Sequence, residues 1–137
     1  MSLSKELQLG KAGEHLVCFD LIVKGYNAFL ADQGLPYDVL VDMKGKIKRM
    51  QVKTCLIARD KGRSKNVYRF SLRSAKGNNR AIMANKIDYV AFVFIDRKIV
   101  QYIPVKQITT ESGYLKQCID FRAEGKTKYI IGNFSNL

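Results

Sequence analysis

Apolar positions recur at helical spacing from about Ser4 to Lys24. At about 100° per residue, Leu3, Leu7, Gly10, Val17, Cys18 and Leu21 fall on one side of a wheel, with Lys5, Gln8, His15 and Lys24 elsewhere. Gly25 follows in the position that ends a helix. Glu14 lands in the middle of the apolar stripe. A carboxylate aimed at a core is costly unless a cation or a hydrogen-bond donor meets it there, so this residue demands an explanation.

The pattern then changes period. Tyr26 to Ala31 and, after Gln33-Gly34-Leu35-Pro36, Tyr37 to Asp42 read as short strands. Lys46 to Cys55 is a third, joined to the second by Met43-Lys44-Gly45, a hairpin signal. Val67 to Leu72 alternates as a strand between turn residues. Ile87 to Ile95 is apolar and β-branched enough for a central strand buried on both faces, with Ile99 to Ile103 as its antiparallel partner across Asp96-Arg97-Lys98. A short helix over Lys106 to Lys116 and a last strand over Tyr129 to Phe134 complete the expectation. The fold class is α/β (α+β): a mixed sheet with the N-terminal helix on one face, and residues 1–137 as one domain.

Charge narrows the partner. The 137 residues carry 24 Lys and Arg against 12 Asp and Glu, a net +12. The apolar fraction of 47% is enough for a packed core, which excludes a disordered basic tail. Within segment 57–80, Arg59, Lys61, Arg63, Lys65, Arg69, Arg73, Lys76 and Arg80 stand against Asp60 alone, so more than half of the net charge sits there. Such a basic ribbon suits the phosphates of nucleic acid. No apolar run reaches the length that crosses a bilayer, and no secretory leader is evident at Met1 to Glu6, so the expectation is a cytoplasmic (intracellular) protein without a membrane partner. Cys18, Cys55 and Cys118 are widely spaced and only one His is present, which argues against a disulfide scaffold or structural zinc.

The candidate chemistry comes from strand parity. Residues two apart share a face, so Gln51 and Lys53 point the same way. If the hairpin loop holds four residues, Asp42 faces Ile47 and Asp38 falls opposite Gln51. Met50, Val52 and Thr54, with Val39 and Val41, supply the other face. If the helix packs on the polar-bearing face, Glu14 comes down on the same cluster. Asp38, the Gln51 side-chain carbonyl and the Val52 main-chain carbonyl are hard oxygen donors of the kind Mg²⁺ (or Mn²⁺) takes, and Glu14 would bind the same ion directly or through water. Lys53 beside them would orient an attacking water or stabilise a pentacovalent phosphate. His15 points about 100° from Glu14 and reads as a surface residue. Cys18 and Cys55 read as small core side chains. Gly10-Lys11-Ala12-Gly13 lacks the spacing and preceding strand of a nucleotide-binding loop.

At Gly10-Lys11-Ala12-Gly13-Glu14, Pro36-Tyr37-Asp38 and Gln51-Val52-Lys53-Thr54 the chain resembles the PD-(D/E)xK nuclease superfamily, and within it the branch of bacterial group I intron homing endonucleases. That branch carries Gln where most relatives have an acid, and a later pair of strands matched here by Asp88-Tyr89 and Ile103-Pro104-Val105. The resemblance implies a restriction-endonuclease-like fold, active-site residues Glu14, Asp38, Gln51 and Lys53, and a metal site of Asp38, Gln51, Val52 and Glu14. It further implies Mg²⁺-dependent hydrolysis of double-stranded DNA that leaves a 5′-phosphate. One site per chain calls for a homodimer or homotetramer to cut both strands. Two other readings stand beside it: a Holliday junction resolvase, and a catalytically silent nucleic-acid-binding module, with which the neutral Gln51 is also compatible.

Overall fold

Ser4 opens the fold: its Oγ accepts from Leu7 N at 3.3 Å and caps α1 (Lys5–Val23). Gly25, at φ 98°, ends it in the left-handed conformation that glycine adopts without strain. The computed structural model describes residues 4–61, 64–73, 84–125, 127–134 and 137, with only the backbone described at 60, 61, 64 and 65. No helix among them is long and apolar enough to cross a membrane.

Five strands form a mixed sheet in the order β1-β2-β3-β6-β7: β1 (Asn27–Leu30), β2 (Val39–Met43), β3 (Lys46–Cys55), β6 (Tyr89–Phe94) and β7 (Ile99–Pro104). The β2–β3 turn needs only Lys44 and Gly45, both at positive φ (55° and 87°), rather than the expected four-residue loop. The register is nonetheless the expected one, with Asp42 facing Ile47 and Val39 facing Met50. β3 and β6 run parallel, Lys53 beside Phe92 and Cys55 beside Phe94. Asp88 starts that pairing: its carboxylate accepts from Arg49 N at 2.8 Å and Arg49 Nε at 3.2 Å.

A second, antiparallel sheet, β4 (Arg59–Lys61), β5 (Ser64–Ser71) and β8 (Cys118–Arg122), covers the other side. Its Phe70 and Phe121 pack edge-on against Phe94 of the first sheet, at 5.3 Å between ring centres in each case. The layers are therefore helix, five-stranded sheet and three-stranded sheet. Alternating side chains of β6 divide between two cores: Val90, Phe92 and Phe94 face the small sheet, while Ala91 and Val93 face Val17 and Leu21 of α1.

Four expectations fail. The helix packs on the Val39, Val41, Met50 and Val52 face, not on the face of Gln51 and Lys53, because it is there that the apolar strand residues stand. Leu7, placed in the apolar stripe, is 57% exposed, and the buried residues of the helix are Gly13, Val17 and Leu21. The segment expected as a helix from Lys106 to Lys116 forms a single 3-10 turn over Val105–Ile108 and then folds back through a bridge between Thr109 and Leu115. In place of a last strand over Tyr129 to Phe134, one bridge joins Arg122 to Ile130 and the chain turns, with Gly132 N and Phe134 N both donating to Oε1 of the fully buried Gln101.

Candidate active site

The site forms where β2 leaves β3. Asp38 N still donates to Met50 O at 2.8 Å, but beyond this residue β3 has no neighbour in the sheet on that edge among the described residues. The Asp38 carboxylate fills the fork: Oδ2 accepts from Val52 N at 2.8 Å and from Gln51 Nε2 at 2.9 Å. Alternate residues of a strand direct their backbone groups to opposite edges. Arg49 O and Cys55 O accept from Asp88 N and Ile95 N at the two ends of β6, whereas Met50 O and Val52 N serve the Asp38 side. By that parity the Val52 carbonyl also points into the fork.

Gln51 and Lys53 lie on the face toward the small sheet. Lys53 Nζ donates to Arg73 O, just past β5, at 3.0 Å. Burial holds its ammonium below the ordinary lysine range, and the negative charge of Asp38 pulls the other way. Glu14 arrives from the opposite layer. It is half-buried, and burial, followed by the charge of Asp38, raises its carboxyl above the usual range, with Lys11 offsetting part of this. Helix and sheet thus bring Glu14 and Lys53 each within electrostatic reach of Asp38, although the helix sits on the far face.

What lets the helix come so near is Gly13. A Cβ added there would lie 2.1 Å from Thr54 Oγ1 and 3.2 Å from Thr54 Cβ, so only glycine fits at this height over β3. Thr54 Oγ1 is buried without a hydrogen-bond partner among the described residues, pressed against that bare backbone. This contact and the Lys53–Arg73 bond escaped the sequence reading. The first was foreshadowed by a glycine immediately before the anomalous Glu14; the second carries no sequence signal.

The donor set decides which ion would fit. Among the described residues no three His, Cys, Asp or Glu side chains gather, so a zinc-type set is lacking there. Two carboxylates close enough for the Asp38 charge to raise the Glu14 carboxyl, with the Gln51 amide and the Val52 carbonyl alongside, are oxygen donors of the kind a hard divalent cation takes.

The basic segment is only partly visible. Arg59, Arg69 and Arg73 are exposed. Arg69 is not free for phosphate, since its Nε and terminal nitrogen donate to the Asp120 carboxylate at 2.9 and 3.0 Å. Lys61 and Lys65 lie on β4 and β5 with side chains outside the described residues, and Arg63, Lys76 and Arg80 lie outside them altogether.

A helix set against a mixed sheet, with an acid at a strand fork and a Gln-x-Lys on the next strand, defines a restriction-endonuclease-like protein. The sequence model described as PD-(D/E)XK endonuclease matches residues 4–129, and the chain belongs to that family. Among solved structures it is similar to a bacterial homing endonuclease, I-Ssp6803I, with a TM-score of 0.68 at 17% identity over 98% of this chain and 86% of that one. No curated protein matches. The protein is a nuclease of this fold, and DNA is the substrate its family implies.

Proposed function

We propose that the chain is a Mg²⁺-dependent endonuclease of the homing type, which hydrolyses phosphodiester bonds in double-stranded DNA as a dimer or tetramer with one site per chain. The observation that carries this reading is the Asp38 carboxylate, held at the strand fork by Val52 N and Gln51 Nε2, with Glu14 and Lys53 in its field. In the reaction a water oxygen bonds to phosphorus, the bond to the 3′ oxygen breaks, and a 5′-phosphate and a 3′-hydroxyl result. Asp38, Glu14, the Gln51 amide oxygen and the Val52 carbonyl would hold the ion. When bound, it would supply charge neutralisation at the phosphate and a lowered water pKa. Val52 N and the Gln51 amide keep the Asp38 carboxylate in one orientation, so little reorganisation remains for the reacting state. Lys53 presents a positive charge to the equatorial oxygens. Its half-buried ammonium interacts with them more strongly than a solvated one would. The small sheet on one side and α1 on the other limit water to the open edge.

The test is cleavage of supercoiled and synthetic duplex DNA with Mg²⁺ or Mn²⁺. Asp38→Asn and Lys53→Met are expected to lose at least about 100-fold in rate while their circular dichroism stays that of the parent. A parent that cuts no DNA with either ion, or variants that cut as well as the parent, would overturn the reading. Preference for four-way junctions over linear duplex would replace the homing assignment with a resolvase.

A further inference from the structure

The basic surface extends beyond the segment that the sequence singles out. β3 and β6 are parallel, so their C-terminal ends share one rim of the sheet. The β6–β7 turn is stitched to the chain leaving β3 on that rim: Ile95 N donates to Cys55 O at 3.0 Å and Asp96 N to Leu56 O at 3.1 Å. This brings exposed Arg97 and Lys98 alongside exposed Arg59, the first residue of the basic β4.

Arg97 is not a loose surface cation. Its Nε donates to Tyr68 Oη at 2.9 Å, and the guanidinium carbon stands 5.6 Å from the centre of the Tyr68 ring. Tyr68, only 2% exposed, donates in turn to Asp96 Oδ2 at 2.8 Å. The hydroxyl thus takes one hydrogen bond and gives the other, a fully used arrangement that fixes the guanidinium plane. The two terminal nitrogens of Arg97 have no hydrogen-bond partner among the described residues, and a guanidinium held in this way presents a paired donor edge suited to phosphate. Arg97 lies five residues past Phe92, which pairs with Lys53, or about 16 Å at about 3.3 Å per residue. A DNA strand advances about 3.4 Å per nucleotide along the helix axis, so a duplex with its scissile phosphate at Lys53 carries backbone phosphates past this rim.

We propose that the β6–β7 turn is a DNA-backbone contact, with Arg97, held by Tyr68, gripping a phosphate about five nucleotides from the cut and Lys98 beside it. This rests on the reading of Asp38 and Lys53 as the cleavage site for duplex DNA.

The test is binding of the full chain to a random-sequence duplex over a salt series, with Ca²⁺ in place of Mg²⁺. Arg97→Gln should weaken binding about threefold to tenfold and lower the log–log salt slope by about 0.9, the value of one phosphate contact. Lys44→Gln removes the same charge from an exposed turn at the other end of β3 and should leave the slope unchanged. Tyr68→Phe keeps the charge but frees the guanidinium, and should fall between parent and Arg97→Gln. Equal effects of Arg97→Gln and Lys44→Gln would show general charge attraction and overturn the contact, as would an unchanged slope in Arg97→Gln. A parent that fails to bind duplex at all would sink the nuclease reading together with this one, whereas a cleaving parent with an unaffected Arg97→Gln would sink this one alone.

Discussion

Two glycines three residues apart in α1 should respond to the same substitution with opposite signs. Alanine is favoured over glycine in a helix interior by about 1 kcal/mol. A Cβ on Gly10 meets nothing within 4 Å, so Gly10→Ala should realise that gain. On Gly13 the same Cβ would sit 2.1 Å from Thr54 Oγ1, a separation no pair of heavy atoms tolerates. Either Thr54 rotates or α1 lifts off β3, and forced overpacking of this kind costs about 1–3 kcal/mol. Because the propensity gain is common to both variants, the difference between their stabilities isolates the steric part, about 1–3 kcal/mol. For a chain of this length that is a gap of roughly 3–12 °C in Tm.

Thr54→Ala removes both the hydroxyl and the methyl that crowd the site. Alone it should be near neutral, since the lost Oγ1 has no hydrogen bond to forfeit. Combined with Gly13→Ala it should restore most of the lost stability, and a double-mutant cycle reads the coupling directly. The same cycle followed by cleavage reports on Glu14, whose reach to Asp38 depends on the height of the helix. If Gly13→Ala raises Tm as Gly10→Ala does, the claim that glycine sets this approach is wrong.

The remaining predictions concern charge and burial. Glu14 carries a raised pKa, so its contribution to stability is present below the ordinary glutamate value of 4.5 and is lost as pH rises through the folded one. Glu14→Gln should therefore gain in Tm over the parent across that window and hold the gain at neutral pH, while losing cleavage; Ca²⁺ should narrow the gain by stabilising the parent alone. Lys53 is shifted downward, so with rising alkalinity the native chain sheds this proton before the unfolded one does, and the unfolded state binds more protons. Relative to Lys53→Met, stability of the parent should rise through the window below ~10.4 while its cleavage falls, a pairing visible in parallel melting and rate profiles. Gln101→Leu leaves Gly132 N and Phe134 N without their acceptor and should cost at least about 2 kcal/mol in urea unfolding, with faster proteolysis of the C-terminal segment; an unchanged midpoint would show that those donors find other partners.

The hairpin register was legible although the loop was expected at four residues, because closing Met43 onto Lys46 shortens the turn without shifting the alternation. Lys44 and Gly45 set the count, and everything from Asp42 opposite Ile47 to Asp38 beside Gln51 follows. The apolar runs of β6 and β7 were equally plain. β8 (Cys118–Arg122) was missed because only Ile119 and Phe121 face the core, between half-exposed Asp120 and Arg122, too short a run to stand out. The helix face was misjudged for a different reason. The wheel weighed Leu7 as a core residue, yet the helix begins before it reaches the sheet, and buried Gly13, which a hydrophobicity count ignores, is where it touches.

That error bears on how the site is built. Were all the polar residues gathered on one sheet face, a helix covering them would seal the pocket from DNA. Here Gln51 and Lys53 occupy the face toward the small sheet, and Glu14 descends from the opposite layer. What they share is Asp38, placed where β2 departs and, among the described residues, leaves the β3 edge open at Val52. The edge strand of a sheet exposes unpaired backbone groups. In this chain one of those groups is answered by a carboxylate instead of another strand, and on the function proposed above the opening that results would admit a phosphodiester backbone from the side. The cost of a half-buried acid, a half-buried ammonium and a hydroxyl without a partner among the described residues is borne by two aromatic and aliphatic cores flanking the same strand.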